Sequence, residues 1–286
     1  MNLNFWVIQT FNGISYGALL FLVGSGLSLI FGVMRIVNLA HGSYFLLGGY
    51  VALSVIWTTG SWALALPVAA LSIAVVGLLM ERVFLRPLGF DPLRQVLLTV
   101  GFAFLFQQAA LDIWTGNNFD INPPEALTKT IVVGGLFLPL YRIFMIATAA
   151  AIGIGLWLIM EKTRMGAAVR ATVDDAQMAR GVGIDTSRIS MFIFALGALL
   201  AALGGVIGGA FLGIYPGLDF EMLPIAFAVV IIGGMGSLGG AAIGALLVGL
   251  ADNFGKALFP EVSYFTLYAP MALILAVKPT GLFGRE

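Results

Sequence analysis

The sequence predicts an all-α polytopic membrane protein with about eight to nine helical segments, some of them interrupted, and one helix on the cytoplasmic side. Three observations predict this class. Of the 286 residues 60% are apolar, only 10% are charged, and long stretches contain no charge at all. A water-soluble domain carries roughly 25% charged residues, so this chain has too few charges to cover a water-facing surface.

Charged residues separate the apolar stretches, and a spanning helix needs about 20 apolar residues. The spans predicted in chain order are Phe5–Phe31, Val37–Trp57, Trp62–Met80, Val96–Trp114, Ile143–Met160, Ile189–Leu212 and Tyr264–Val277. The first is expected to be a retained span rather than a removable signal peptide. Between Met222 and Ala251 lie two shorter apolar pieces, which predict either two short tilted spans or a re-entrant hairpin. All segments are expected to form one transmembrane domain over residues 1–286.

The positions of the basic residues predict sidedness, because lysine and arginine in short loops stay on the cytoplasmic side. Basic residues concentrate at Arg35, in residues 81–94 and 161–188, and at the C-terminus in Lys278 and Arg285. These stretches contain eleven basic and seven acidic residues, against three basic and seven acidic in the other connections. The C-terminus is therefore expected in the cytoplasm and, by counting spans, the N-terminus outside.

The connections on the other side are expected to face outward. The longest, residues 115–140, contains two β-prone runs around a Gly-Gly pair and predicts a small hairpin. This hairpin is expected to be either a plain connector or a docking surface for an outside partner. Asp219 and Asp252 are assigned to two further outward connections, and Glu81 is assigned to a cytoplasmic anchoring turn beside arginines.

Composition excludes several functional classes. The chain contains no cysteine and one histidine, His41, so thiol chemistry and zinc clusters are not expected. A net charge of zero argues against binding to nucleic acid. No span pairs a nucleophile with a base, which disfavours an intramembrane enzyme, and the sequence contains no phosphate-binding loop. Neither a metal nor a cofactor is expected.

Residues 161–188 form a segment that is longer than a turn requires and carries nine charges. Its apolar residues recur at helical spacing, and its polar residues occupy the other side of the predicted helix. The apolar set is Val169, Val173, Ala176 and Ala179, and the polar set is Arg170, Asp174, Asp175 and Gln177. Gly166 is expected to precede this helix, and Gly181 and Gly183 are expected to end it. So short a helix is not stable alone, so it is expected to pack on lipid headgroups or on a cytoplasmic partner.

The same segment resembles the EAA coupling loop of ABC importer permeases. Gln177, Met178 and Ala179 take the three positions of the Glu-Ala-Ala motif, and Gly183 follows at the expected spacing. The resemblance implies a coupling helix that contacts an ATPase subunit. The residues assigned to that contact are Arg170, Asp174, Asp175, Gln177, Ala179, Arg180 and Gly183.

Four further segments resemble the signatures of LivH-type permease subunits of branched-chain amino-acid ABC transporters. They are Gly26–Gly42, Glu81–Pro87, Gly233–Ser237 and Lys278–Arg285, in the same order and at compatible spacing. The resemblance implies a subunit of the bacterial inner membrane that imports branched-chain or other hydrophobic amino acids by ATP-driven alternating access. Its implied partners are a second permease of the LivM type, two ABC ATPase subunits, an extracytoplasmic substrate-binding protein and membrane lipid.

Two alternatives to this function stay open at the level of sequence. Similar permeases move urea, short amides or aromatic acids, so the substrate is not fixed by the resemblance. An ion-coupled secondary carrier or channel is the alternative from another class, although carboxylates are scarce in the predicted spans.

Two helix interruptions are expected to line the route of a zwitterionic substrate, because backbone groups freed at a break can contact it weakly. The first break runs from Arg35 to Gly42 and the second break from Gly233 to Gly240. The residues predicted along the route are Asn38, His41, Gly42, Ser43, Gly233, Gly234, Gly236 and Ser237.

Each polar residue of the first break also has a structural interpretation. His41 is expected to hold the broken backbone rather than relay protons, because no carboxylate shares its charge-free stretch and a relay needs several groups. Asn38 and Ser43 are expected to cap the following helix more often than to bind substrate.

Overall fold

The computed structural model describes residues 3–89 and 91–284, which form a bundle of helices with one β-hairpin. The helices are α1 (Leu3–Met34), α2 (His41–Thr59), α3 (Trp62–Leu79), α4 (Pro92–Trp114), α5 (Leu140–Lys162), α6 (Arg164–Asp174), α7 (Ala176–Gly181), α8 (Thr186–Leu212), α9 (Leu218–Gly233), α10 (Leu238–Leu258) and α11 (Ser263–Val277). A π-helical turn (Met80–Leu85) and a 3-10 turn (Arg86–Leu88) continue α3, and strands β1 (Thr130–Val133) and β2 (Leu136–Pro139) form the hairpin.

The apolar stretches form helices in the predicted order. Within the described ranges, six helices are long and apolar enough to cross a membrane: α1, α3 with its continuation, α4, α5, α8 and α10. A further apolar helix, α11, is shorter. The prediction of a polytopic, mostly helical membrane protein is therefore confirmed.

Several predicted boundaries are wrong. Residues 37–40 are not helical, so the second helix begins only at His41. Helix α10 has 21 residues and full spanning length, so it is not a short piece, whereas α9 has 16. The single helix expected in the 161–188 segment is two helices, and Gly166 lies in the first turn of α6 rather than before it. Arg285 of the C-terminal motif, and Met1, on which the outside N-terminus depends, lie outside the described residues.

Helix α1 lies at the centre of the bundle, where it packs against α8 and α10. Glycine permits these crossings: a Cβ atom at Gly26 would lie 2.6 Å from the Gly197 carbonyl oxygen, and one at Gly17 would lie 2.8 Å from that of Ala245. Such distances are shorter than a real Cβ contact allows, so small residues set the helix spacing.

The outer helices expose apolar surface. In their apolar windows, 83% of α1 is buried inside the protein but only 17% of α4 and 22% of α5. Outward side chains such as Leu97, Phe104 and Ile154 are more than half exposed. This distribution suits a protein whose outer surface meets lipid.

The connections fall at two ends of the bundle. At the first, called the Arg35 end, the end of α1 faces α6 and α7, and residues 278–284 pack on the start of the second break. At the opposite hairpin end, β1 and β2 pair antiparallel around the Gly-Gly turn, which confirms the predicted hairpin. There Phe119 and Ile214 exchange two backbone hydrogen bonds of 2.7 and 2.8 Å.

Three carboxylates predicted at the surface are buried instead. Glu81 and Asp219 are each only 2% exposed, and Asp252 is 6% exposed. Asp252 is paired with the Lys256 ammonium group at 2.7 Å, one helical turn away. Glu81 lies in the π-helical turn beside the buried Met80, so it does not act as an exposed anchor. The assignment of Asp219 to an outward-facing loop is corrected below.

Candidate functional site: two helix breaks and a charged surface segment

The first break is a non-helical segment between α1 and α2 in which Ile36, Asn38 and Ala40 are buried. Arg35 opens it with a positive φ of 54°, an uncommon conformation for a residue with a side chain. The Leu39 N–H donates to the Thr99 hydroxyl of α4 at 3.2 Å, and the Asn38 side-chain oxygen accepts from the Ala40 N–H at 3.1 Å. Side chains therefore satisfy backbone groups that the missing helical turns leave free.

His41 begins α2 and is fully buried. Its Nε2 lies 3.0 Å from the Val23 carbonyl oxygen of α1, which can only accept, so the hydrogen bond requires the tautomer with the proton on Nε2. The contact joins the start of α2 to the middle of α1. This geometry suits the structural interpretation of His41, whose place on a substrate route stays a prediction.

Ser43 contacts a carboxylate that sequence reasoning assigned elsewhere. Its hydroxyl donates to Asp219 Oδ2 at 3.0 Å, across 176 positions of sequence. Gly42 lies against the Asp219 backbone carbonyl, so the first turns of α2 and α9 meet closely. Asp219 thus belongs to the first break and not to an outward loop. Its place in the first turn of a helix was readable from the sequence, since acidic residues favour helix N-termini, but its partner was not.

The second break spans residues 234–237, between α9 and α10. Gly234 and Gly236 adopt positive φ values of 99° and 81°, and Ser237 caps α10 by accepting from the Gly240 N–H at 3.0 Å. Gly233 lies against the Gly240 backbone, which brings the two helices together. The break is therefore a tight turn built on glycine.

Backbone groups at the end of α9 already have partners. The Ile232 and Gly233 carbonyls accept hydrogen bonds from the Leu282 and Phe283 N–H groups, at 2.9 and 3.0 Å. The expectation that carbonyls freed here would line a cavity is wrong for these two. The assignment of Gly233, Gly234, Gly236 and Ser237 to a substrate route stays a prediction.

The last turns of α1 join the second break to the first. The Ser28 hydroxyl donates to the Ser237 carbonyl at 3.4 Å, and Gly32 packs directly against Gly236. Three residues later the chain enters the first break at Arg35. Movement at either break must therefore be accommodated by the same stretch of α1.

The 161–188 segment folds as two short helices held by caps. Thr163 caps α6 by accepting from the Gly166 N–H at 3.1 Å, and the Asp175 carboxylate caps α7 by accepting from the Gln177 and Met178 N–H groups at 2.8 and 2.9 Å. Helix α7 ends at Gly181, and Gly183 follows with a φ of 89°, as the sequence predicted for the end of this helix.

Further contacts fix the segment to the bundle. The Arg170 guanidinium donates to the Met160 carbonyl and lies 3.7 Å from the Glu161 carboxylate, which ties α6 to α5. Arg180 Nε donates to the Thr186 hydroxyl at 2.7 Å, which ties α7 to α8. Ala179 is buried between these contacts.

A groove of about 370 Å³ separates the segment from the end of α1. One wall is Val33, Met34 and Arg35, and the other is residues 172–177 with Arg180. It therefore brings Asp174, Asp175, Gln177 and Arg180 of the predicted ATPase contact next to Arg35 of the first break. Arg170, Ala179 and Gly183 lie outside it and hold the segment in place.

Comparison with known proteins identifies the family. The family model described as the permease component of the branched-chain amino acid transport system matches residues 9–275. The chain belongs to this permease family. No solved structure gives a significant match.

Full-length relatives agree with the family match. The permease is 31% identical to the high-affinity branched-chain amino acid transport system permease protein LivH of Escherichia coli, over 98% of this chain and 96% of that protein. It is 29% identical to BraD of Pseudomonas aeruginosa, over 97% and 95%. LivM of Escherichia coli is also related, with 26% identity over 91% of this chain and 67% of its own length.

The resemblance noted in the sequence is thereby confirmed. The protein is a multi-pass permease component of a branched-chain amino acid ABC transport system and is not itself a catalytic subunit. A permease of this kind works with ATPase and binding-protein partners, so its energy source and its first contact with substrate lie on other chains.

Proposed function

We propose that the permease imports branched-chain or other hydrophobic amino acids by alternating access, driven by two ABC ATPase subunits. In this proposal it pairs with a second permease of the LivM type and receives substrate from an extracytoplasmic binding protein. The Arg35 end faces the cytoplasm, with the C-terminus inside and the N-terminus outside, because the basic segments gather at that end.

The observation that carries the proposal is the exposed apolar surface of the 161–188 segment. Met178 and Val182 are 65% and 70% exposed on a segment that also carries charged groups. Apolar side chains among charges suit a protein interface better than contact with water. A groove of an ATPase subunit is the partner that the EAA resemblance implies.

The groove beside this segment gives the ATPase a path to the first break. Residues 172–177 form one of its walls and Arg35 stands in the other. Arg35 holds an unfavourable backbone conformation, with a positive φ. A displacement of α7 that narrows or widens the groove can therefore release this strain and change the backbone conformation at the first break. The first break is proposed to open and close in this way during transport.

The hairpin end supplies a surface for the binding protein. Val132, Val133 and Phe137 of the hairpin are more than half exposed. Exposed apolar residues on a short, regular hairpin suit docking of an outside protein better than a plain connector does. The proposed substrate class is the one that LivH and BraD are named for, the branched-chain amino acids. Ligand binding by the partner binding protein would distinguish these substrates from urea, amides or aromatic acids.

Replacing the cap of α7 tests the coupling assignment. In the reconstituted transporter, Asp175→Ala removes the acceptor for two N–H groups and costs α7 about 1 kcal/mol, which lowers the ratio of folded to unfolded α7 by about fivefold. We expect leucine uptake and ATPase stimulation by loaded binding protein to fall together, while membrane insertion stays normal. Asp175→Asn keeps a cap and is expected to retain most of both activities.

The outcomes separate the competing functions. Full uptake and full ATPase stimulation in Asp175→Ala would refute the coupling role of α7. An ion-coupled carrier would instead transport with this chain alone and would stop when an uncoupler is added at constant ATP.

A further inference from the structure

Asp219 is a buried carboxylate that forms no ion pair with a lysine or arginine among the described residues. It is 2% exposed, and Oδ2 accepts from the Ser43 hydroxyl. Oδ1 has no hydrogen-bond partner of good geometry within the part of the chain that the structure describes, although the backbone of Gly217, Asp219 and Phe220 lies close to the carboxylate. A buried charge of this kind costs free energy, and an acceptor without a donor adds to that cost. Among the described residues, the arrangement therefore lacks a hydrogen-bond donor for Oδ1 of the carboxylate.

Tyr50 presents a second unmatched polar atom to the same region. It lies seven residues after Ser43, two turns along the same face of α2, and its buried hydroxyl has no partner among the described residues. Within the described residues, two unmatched buried atoms therefore lie near the contact of α2 with α9: the Tyr50 hydroxyl on α2 and Asp219 Oδ1 on α9.

Apolar and aromatic groups surround these polar atoms. The Tyr50 ring stacks on Trp114 at 4.9 Å between centroids, and Phe119 meets its edge at 6.4 Å. Leu223 of α9 packs beside Gly42 near Ser43. The surroundings thus combine one anionic acceptor with a largely apolar wall.

A ligand that satisfies this arrangement needs a cationic hydrogen-bond donor on an apolar body. An ammonium group has three donors and a positive charge, and it satisfies a carboxylate oxygen in a charge-assisted hydrogen bond. The first turn of α9 favours the charged form of the carboxylate, whereas burial disfavours it, and a cationic ligand would offset the effect of burial. Phe119 pairs with Ile214 through backbone hydrogen bonds at the hairpin end. The aromatic wall therefore lies toward the end of the bundle where the proposed binding protein releases substrate.

We propose that Asp219, with Ser43 and Tyr50, forms a transient site for the α-ammonium group of the transported amino acid, whose side chain faces Trp114 and Phe119. The assignment rests on the proposed function, since it needs an amino acid to pass through this chain. It adds a selective element to the permease itself: a hydrophobic substrate without an ammonium group does not satisfy the Asp219 carboxylate.

Glu81 provides a matched control, because it is equally buried and also has an oxygen without a partner among the described residues. The difference is a neighbouring cation: Arg86 follows Glu81 by one π-helical turn, and its backbone N–H donates to the Glu81 carbonyl. Replacing Glu81 by Gln therefore removes a buried carboxylate without removing the proposed site.

The test measures the amount of leucine accumulated per ATP hydrolysed by the complete transporter in proteoliposomes, with loaded binding protein. Asp219→Asn keeps an oxygen that accepts from Ser43 but loses the charge, and we expect the ratio to fall about 10- to 100-fold. Asp219→Glu is expected to retain more of the ratio than Asp219→Asn. Glu81→Gln is expected to match the unmodified transporter.

The ratio distinguishes the site from a structural role, because poorly folded complexes lose uptake and hydrolysis together. An unchanged ratio in Asp219→Asn would overturn the proposal. If that variant does not assemble, Ser43→Ala and Tyr50→Phe decide the matter: we expect a fall of about 2- to 10-fold in each, and unchanged ratios would overturn it. If the unmodified transporter shows no ATP-driven leucine uptake, the proposed function fails rather than this site.

Discussion

The two breaks in the helical bundle differ in the groups that satisfy their backbone. At the first break, side chains of Asn38 and Thr99 bind the free N–H groups, and His41 binds a carbonyl of α1. At the second break, backbone N–H groups of Leu282 and Phe283 bind the last carbonyls of α9. Side chains from α4 and α2 thus add to the backbone hydrogen bonds of the first break, whereas at the second break the last carbonyls of α9 are bound by main chain, and serine side chains cap and support the turn.

This difference indicates different roles. Side chains can exchange partners when helices move. The backbone hydrogen bonds between residues 282–283 and the end of α9, by contrast, can be broken only by separating the two segments. The first break also lies beside the groove of the 161–188 segment and beside Asp219. We therefore expect the second break to behave as a fixed joint and the first break to behave as the part that moves in transport.

The largest expected effect is at the second break. Gly234→Ala would place a Cβ atom against the backbone of Phe283 and Gly284 at a positive φ of 99°. Overpacking and a left-handed backbone together cost about 3 kcal/mol or more, so the thermal midpoint of the purified permease should fall sharply.

A matched glycine sharpens this test. A Cβ atom at Gly239 of α10 would meet nothing within 4 Å, so Gly239→Ala should leave the midpoint unchanged or slightly raised. Equal stability of the two variants would show that the contact of the C-terminal residues with the second break is not a fixed joint.

A smaller effect is expected at His41. His41→Ala removes a fully buried ring and its hydrogen bond to Val23, and we expect a loss of about 2 kcal/mol in thermal unfolding. His41→Gln retains an N–H donor and is expected to keep both stability and the pH profile of leucine uptake. A stable His41→Gln variant without uptake, or with a shifted pH profile, would support a proton relay and contradict the structural role.

Much of this fold could be predicted from the sequence, for local physical reasons. Apolar length predicted the spans, the Gly-Gly pair predicted the hairpin, and Gly181 and Gly183 predicted the end of α7. Each of these signals depends on residues close together in the chain. The start of α2 was placed too early because Val37 and Leu39 are apolar and read as helix, although the chain is not helical there and both residues are only half-buried.

The parts that could not be predicted depend on distant contacts. Charge counting assigned Asp219 to a loop because it stands at the edge of an apolar stretch, and only its contact with Ser43, 176 residues away, shows otherwise. The partners of the α9 carbonyls come from the C-terminal turn at Leu282 and Phe283. No local pattern in either segment specifies such a pairing, so the difference between the two breaks was not readable from the sequence.

The smallest expected effect tests the side-chain support of the first break directly. Thr99→Val keeps the shape of the side chain but removes the hydroxyl that accepts from the Leu39 N–H. Leu39 is only half-buried, so water can replace part of the lost bond, and we expect a cost of about 1 kcal/mol. Thr99→Ser keeps the hydroxyl and serves as the control. If the first break moves in transport, the change in uptake rate of Thr99→Val, expressed as an activation free energy, should exceed the change in its free energy of unfolding. Equal changes would indicate that this break is as fixed as the second.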